Sequence, residues 1–446
     1  MSVKAVSGER LDPLWSSHHA EWRDPSQITS HWKEASETDP ALLRCHTRGR
    51  WWDVLAESGV TLLVTREYEH LVLAISTSDS RPLVTFMRMP HPSGLVVDHV
   101  KQVVHVASTR NPNQIFAMRP VTGVFPRLDV QISEPRNRPL LPFRSYFYPG
   151  CLYLHDLALI GGALHGSSVG QNAVVRLEED GSFSRVWWPR CIEGPEGAVF
   201  GRNHIQLNSI AAGHSVGESF FSASAEKMTT RRPGHRNFPV DGRGVIFSGS
   251  SRQPIARGLT RPHSARLYRR RIWVSNSGYG QVGFVDDERL RPVAPLPGWT
   301  RGLFFQGRIA FAGTSRVIPR FRQYAPGLDV DSSLCGVHAF DLESGEVLGS
   351  LIWPAGNQIF AIDGIDRDVT RGFPFTAGTP GARGRLTKLF YVFQVDAPLK
   401  RRQSPAGPIH DGATPRPPHT PRSEPCRSRL GARSRSARKT TDRREP

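Results

Sequence analysis

Leu259-Thr-Arg-Pro-His-Ser-Ala-Arg-Leu-Tyr268, Arg271-Ile-Trp-Val-Ser-Asn-Ser-Gly-Tyr-Gly280, Pro297-Gly-Trp-Thr-Arg-Gly-Leu-Phe-Phe305 and Ile309-Ala-Phe-Ala-Gly-Thr-Ser315 follow one another in a single stretch. Each half has the same grammar: a turn, a polar or aromatic residue, a short apolar run, a charged turn, and a second apolar run ending in small hydroxyl residues. Short apolar runs bounded by Gly, Pro and charged turns are the signature of strands joined in hairpins. The stretch therefore reads as two copies of one β unit.

Working outward, the first half recurs around His91, His155, Gln206, His263, Trp299 and Gln358, at intervals of 64, 51, 57, 36 and 59 residues. Unequal intervals around a constant strand-turn-strand core are what radial repetition with loop insertions produces, and about 40 to 50 residues is the usual blade. The fold class expected is all-β, a β-propeller of about six blades, with five or seven as the neighbouring counts. Domain boundaries follow as an N-terminal extension over 1–57, the propeller over 58–397 and a tail over 398–446. In the extension, a short helix is placed around 27–37, and Arg50 to Ser58, with Gly59 as C-cap, reads as a two-turn helix. Val60 to Val64 and Leu71 to Ser76 form a hairpin around the charged turn Arg66-Glu67-Tyr68-Glu69, free to pair with the last blade and close the ring. Lys388 to Val395 is a second candidate for a closing strand. Asn-Gln-Ile-Phe-Ala occurs at 113–117 and again at 357–361, at different phases of the repeat.

The chain has 446 residues, 41 Gly, 36 Pro and a net charge of +18. The last 48 residues hold 13 Lys or Arg and 4 Asp or Glu, so half of that charge lies in the tail. With scarcely an apolar residue, the tail cannot offset its conformational entropy by burial and is expected to be disordered. The rest is only mildly basic, which makes nucleic acid an unfavoured partner. No apolar run approaches the roughly 20 residues needed to span a bilayer, and the first ten residues lack a signal-peptide apolar region. A cytoplasmic protein without membrane contact is expected. The five cysteines contain no C-x-x-C pair, so neither a disulfide framework nor a zinc ribbon is suggested.

Arg261-Pro-His-Ser-Ala-Arg-Leu267, Trp273-Val-Ser-Asn-Ser-Gly-Tyr-Gly280, Leu296-Pro-Gly-Trp-Thr-Arg-Gly-Leu303, Gly313-Thr-Ser-Arg316 and Cys335-Gly-Val-His338 resemble, in order, the motifs of an uncharacterised bacterial family of conserved hypothetical, propeller-like proteins. The resemblance covers roughly residues 55 to 375 and excludes both termini. It supports the fold and carries over no active site.

Three motifs invite a catalytic reading. Gly166-Ser-Ser-Val-Gly170 and Gly213-His-Ser-Val-Gly217 match Gly-x-Ser-x-Gly, yet both continue into β-like runs where a nucleophile elbow needs a helix. Gly278-Tyr-Gly-Gln-Val-Gly283 matches the dinucleotide fingerprint but lacks a following helix and the acidic residue about 20 positions on. All three are expected to be turns, and no nucleotide cofactor is expected.

His91, His155 and His263 are read at one phase of the repeat, on three blades. Converging at the central channel, three imidazoles would hold a divalent metal, zinc first, with an open position for water. Gln206, Asn208, Trp299 and Gln358 complete the candidate ligand-binding rim, while Arg266 and Arg301 just behind would fork a carboxylate or phosphate. The competing reading is a wet channel whose polar rim bonds water, with the arginines in structural salt bridges. Two functions remain open at this point: a metal-assisted lyase or hydrolase acting on a small anionic ligand at the channel mouth, or a non-catalytic propeller binding a small molecule or protein partner.

Overall fold

The computed structural model describes residues 38–376 apart from 79–80, 111–112, 126–136 and 236, together with Pro13 and 393–395. Among the described residues, six antiparallel sheets of four or five strands stand around one axis. The innermost strands are Pro92–Asp98, Leu154–Ile160, Leu207–Ala211, Pro262–Tyr268, Trp299–Gln306 and Ala361–Asp366, each in contact with the next and the last with the first. These are the six places where the sequence repeat is anchored. The fold is a six-bladed β-propeller.

Closure follows from pairing the two ends of the ring. Ala361–Asp366 comes late in the chain yet pairs with Val60–Arg66, which continues through Leu71–Ser78 to Arg81–Arg88. One blade is thus built from both ends, and no inner sheet edge is left open. Of the second candidate segment, 388–395, Phe393–Gln394 pairs with Gly123–Val124, and 388–392 lie outside the described residues. His46–Gly49 adds a fifth, outer strand to the blade of Trp299–Gln306. The helix Trp51–Ser58 then buries Trp51, Val54 and Leu55 beside the closing seam and ends at Gly59, whose φ of 69° suits a residue without Cβ. The expected helix at 27–37 and the tail beyond 397 lie outside the described residues.

The recurring hydroxyl residues have a common task. At every seam a short polar side chain donates to a backbone carbonyl on or just before the next blade's inner strand: Thr65 to Ser93 (2.7 Å), Ser93 to Leu154 (2.9 Å), Ser167 to Leu207 (2.8 Å), Asn208 to Pro262 (2.8 Å), Ser277 to Thr300 (2.6 Å) and Ser315 to Ile359 (3.1 Å). Side-chain clips are needed there because neighbouring blades pack face to face and share no ladder to satisfy those carbonyls. Ser168, the central serine of one Gly-x-Ser-x-Gly match, ends the strand Ala163–Ser168 rather than lying in a turn as expected, and donates to the Leu152 carbonyl at 2.7 Å beside the clip Ser167. The other serine, Ser215, sits in a turn and donates to Glu218, and the dinucleotide-like glycines form a 3-10 turn at Ser277–Tyr279 leading into a strand. The repeated pentapeptide has no common structural position: 113–117 opens a third strand, whereas 357–361 leads into an inner one.

Candidate functional site

Five of the six inner strands carry a β-bulge near their start, between Pro92 and Leu95, Leu154 and Asp156, Leu207 and Ser209, His263 and Arg266, and Arg301 and Leu303. A bulge inserts one residue and re-aims the side chains before it. At this end of the channel the strands therefore open a chamber of about 500 Å³. The hairpin turn after Val60–Arg66 contributes Glu67 and Tyr68, and Gln358 comes from the segment entering the closing strand. The two are tied together at the seam: Arg66, fully buried, donates to Glu69 (3.1 Å), and Glu69 accepts the Asn357 amide (2.6 Å). Two long insertions, 224–243 and 316–335, meet over the mouth. There Tyr324 donates to the Gly234 carbonyl at 2.7 Å, and Ala225, Phe238, Trp299, Val317 and Tyr324 share an apolar cluster.

Charge is the chamber's main chemical feature. Arg110, Arg232, Arg261 and Arg301 line it against a single carboxylate, Glu67. Glu67 is itself buried and engaged, accepting from Thr109 Oγ1 at 2.8 Å with Arg110 Nη2 at 3.5 Å. Arg261 donates to Gln206 (2.6 Å) and the Pro233 carbonyl (2.9 Å) and lies over Tyr324. Burial and the neighbouring Arg301 push its pKa down to about 10, so it is still a cation at neutral pH. Arg301 lies between Trp299 and Phe360, 4.5 and 4.7 Å from the ring centres. With the Gln358 amide turned so that its nitrogen faces Glu67 (3.3 Å), its oxygen accepts from Arg301 at 2.9 Å.

His155 lines the same chamber, and His263 lies beneath it, ring centres 5.9 Å apart, both edge-on to Phe360. Both are buried, and both are held well below the usual imidazole range, first by burial and then by Arg301. The charges of Arg261 and Arg110 act on His155 in the same direction. Asn208 faces that ring, although neither its Oδ1 nor His155 Nδ1 completes a hydrogen bond among the described residues. His263 bonds Ser264 through Nδ1 and leaves Nε2 without a partner there. His155 is thus a neutral imidazole lining a cationic chamber, with its unpartnered Nδ1 buried.

The bulges also explain why the three histidines do not share a phase. His91, His155 and His263 lie four, one and three residues before Leu95, Asp156 and Arg266, the first paired residues after each bulge. His91 instead packs on His70, ring centres 4.4 Å apart, with Glu67 at 4.0 Å. Among the described residues no group of three His, Cys, Asp or Glu is arranged to hold a metal. The expected three-imidazole set is not assembled among the described residues, and the guanidiniums lining the chamber oppose a divalent cation there.

Of the other expected rim residues, Gln206, Trp299, Gln358 and Arg301 do line the chamber, whereas Asn208 is buried behind His155 as a seam clip. Arg266 is not available to a ligand. Its guanidinium forms a two-pronged pair with buried Asp156, at 2.7 and 3.1 Å, and so follows the structural reading. The sequence reading missed Glu67, Arg110, Arg232, Arg261 and Tyr324. Arg261 had a signal, standing two residues before His263 in the deciding stretch. Glu67 was visible only as one charge in a hairpin turn, and Arg232 only as part of a basic loop.

Residues 49–370 match the domain of unknown function DUF4915. The chain belongs to that family. No curated protein matches it. Among solved structures, a chain of the nidogen/laminin complex is 10% identical, with 69% of this chain and 98% of that one covered and a TM-score of 0.45. A protein of unknown function from Bacteroides caccae is 8% identical, with 69% and 99% covered and a TM-score of 0.44. A virginiamycin B lyase from Staphylococcus aureus is 12% identical, with 70% and 99% covered and a TM-score of 0.34. This family member is similar to them at a level that carries no functional argument.

Proposed function

We propose that this propeller binds a small anionic molecule in the chamber at its channel mouth. The observation that carries the reading is the gathering of Arg110, Arg232, Arg261 and Arg301 around one chamber whose lining holds a single, already engaged carboxylate, Glu67. Guanidiniums gathered in a half-enclosed site repel one another, and an anionic ligand relieves that repulsion while receiving charge-assisted hydrogen bonds.

Titration calorimetry of the full chain with galacturonate, malate, inorganic phosphate and uncharged galactose tests the reading. At least one anion binds, galactose does not, and affinity falls as salt rises. Arg110 is the side chain to replace, because it is exposed on one side and its loss leaves the core intact; Arg110→Gln weakens the anion by about tenfold, the value of one charge-assisted bond. Binding of no anion, or equal binding of the neutral sugar, overturns the proposal. The alternative of a metal-assisted lyase or hydrolase rests on the spare nitrogens of His155 and His263. It requires a stoichiometric divalent metal in the purified protein that disappears in His263→Ala.

A further inference from the structure

Four guanidiniums, those of Arg110, Arg232, Arg261 and Arg301, share the chamber lining with one carboxylate, Glu67, and His155 stays neutral, so the lining keeps three positive charges in excess. Arg261 and Arg301 are both buried, and the charge of Arg301 acts against that of Arg261. Aromatic faces supply part of their support. Arg110 lies over Tyr153 at 5.7 Å, Arg261 over Tyr324 at 4.8 Å and Arg301 over Trp299 at 4.5 Å, and all three rings also line the chamber. A ring face attracts a cation through its quadrupole but carries no net charge, so support of this kind leaves a guanidinium's charge uncancelled. Two inner-strand carboxylates outside the lining are committed elsewhere. Asp156 is taken up by its two-pronged pair with Arg266. Asp363 accepts the amides of Val97 (2.9 Å) and Gly364 (2.8 Å), and burial pushes its pKa up, which weakens it as a counter-charge.

We infer that the ligand of the chamber is a compact molecule carrying at least two negative charges, a phosphate monoester or a di- or tricarboxylate, and that the site discriminates against monoanions. The inference rests on the chamber reading above and names the ligand class. A monoanion leaves two of the three excess charges repelling each other, whereas a dianion or trianion balances most or all of the excess. Guanidinium forks match carboxylate and phosphate oxygens equally well, so the charge count is the property the two sources share. A half-enclosed space of about 500 Å³ is of the size that takes a small molecule, which places those charges on one compact ligand.

Calorimetry on the full chain at fixed ionic strength compares two matched pairs. One is succinate with its monoamide, succinamate; the other is methyl phosphate with dimethyl phosphate at about pH 8, where the monoester is a dianion and the diester a monoanion. Within each pair the size is nearly constant and the charge changes by one. The expected result is that the dianion of at least one pair binds about tenfold or more tightly than its monoanion, the value of one further charge-assisted contact. Whichever dianion binds more tightly names the source of the charge. Arg110 and Arg232 are exposed, so Arg110→Gln with Arg232→Gln leaves the buried pair in place and lowers the excess from three charges to one. The advantage of the dianion then shrinks several-fold, in a protein whose unchanged melting temperature shows that it is folded. If the monoanions, galacturonate included, bind as tightly as the dianions, the inference is overturned while the chamber reading stands. If the advantage persists undiminished in the folded double variant, shape and not excess charge selects the ligand, and the inference is overturned as well. If no anion binds at all, the chamber reading fails with it.

Discussion

His155 owes its chemistry to position more than to sequence. In Leu-His-Asp-Leu-Ala it reads as one of three histidines sharing a repeat phase, whereas the bulge between Leu154 and Asp156 gives it a place of its own in the chamber lining. His338 is the contrasting case. It is buried with both ring nitrogens engaged, by Thr314 Oγ1 at 2.9 Å and Ser350 Oγ at 2.8 Å, and burial, with Arg48 adding to it, lowers its pKa from 6.5 to about 4. A depressed imidazole pKa means that the unfolded chain takes up a proton before the folded one does. The stability tied to His338 is therefore full above pH 6.5 and is lost progressively between 6.5 and 4. Between pH 7.5 and 5 the loss is roughly 2 kcal/mol. Denaturant unfolding at the two pH values reads this, with His338→Gln as reference. The variant is less stable at pH 7.5 but loses less on acidification, and an identical pH slope in both proteins would remove His338 as a cause.

At the scale of the strand, the seam clips tie a sequence pattern to an energy. The hydroxyl residues that end the second run of each repeat look like turn residues, and the alternation of small and apolar side chains says nothing of where they donate. In the ring, Ser167 and Ser315 each satisfy a buried carbonyl of the neighbouring blade. Removing such a donor leaves the carbonyl buried without that partner, which costs about 1 to 3 kcal/mol. Ser167→Ala and Ser315→Ala each lower unfolding free energy by that amount, and because the seams are far apart the double variant loses the sum. A neutral double variant in urea titration would mean the clips are incidental to stability. Gly94 is the other seam constraint: a Cβ there would meet the backbone of Asp156 and Leu157 at 2.7 Å. The glycine in Pro-His-Pro-Ser-Gly-Leu was legible as a turn residue, whereas its close approach to another blade was not.

For the whole molecule, closure decides what can be removed. Deleting the chain from residue 357 onward takes away Ala361–Asp366, opens the ring and exposes the edge of Val60–Arg66, so the product is expected to aggregate. Deleting 398–446 leaves the melting temperature unchanged, because that composition has nothing with which to form a core. A scanning-fluorimetry comparison of the two truncations checks both, and a drop of many degrees in the second would mean that the tail packs. Much of the architecture was carried by sequence alone: six anchors, the ring closed through 60–76, the helix ending at Gly59, and the turns at 213–217 and 278–280. Those features are local, since strand period, turn chemistry and capping are set by residues within a few positions of one another. The chamber was only half legible. Gln206, Trp299, Arg301 and Gln358 could be placed at the mouth by counting, but counting fails wherever a strand gains a residue, and that is why His91, His155 and His263 looked equivalent and are not. Glu67, Arg110, Arg232 and Arg261 come from four blades and have no shared spacing to betray them. Only folding brings them around one chamber, because their meeting depends on the closure of the whole circle.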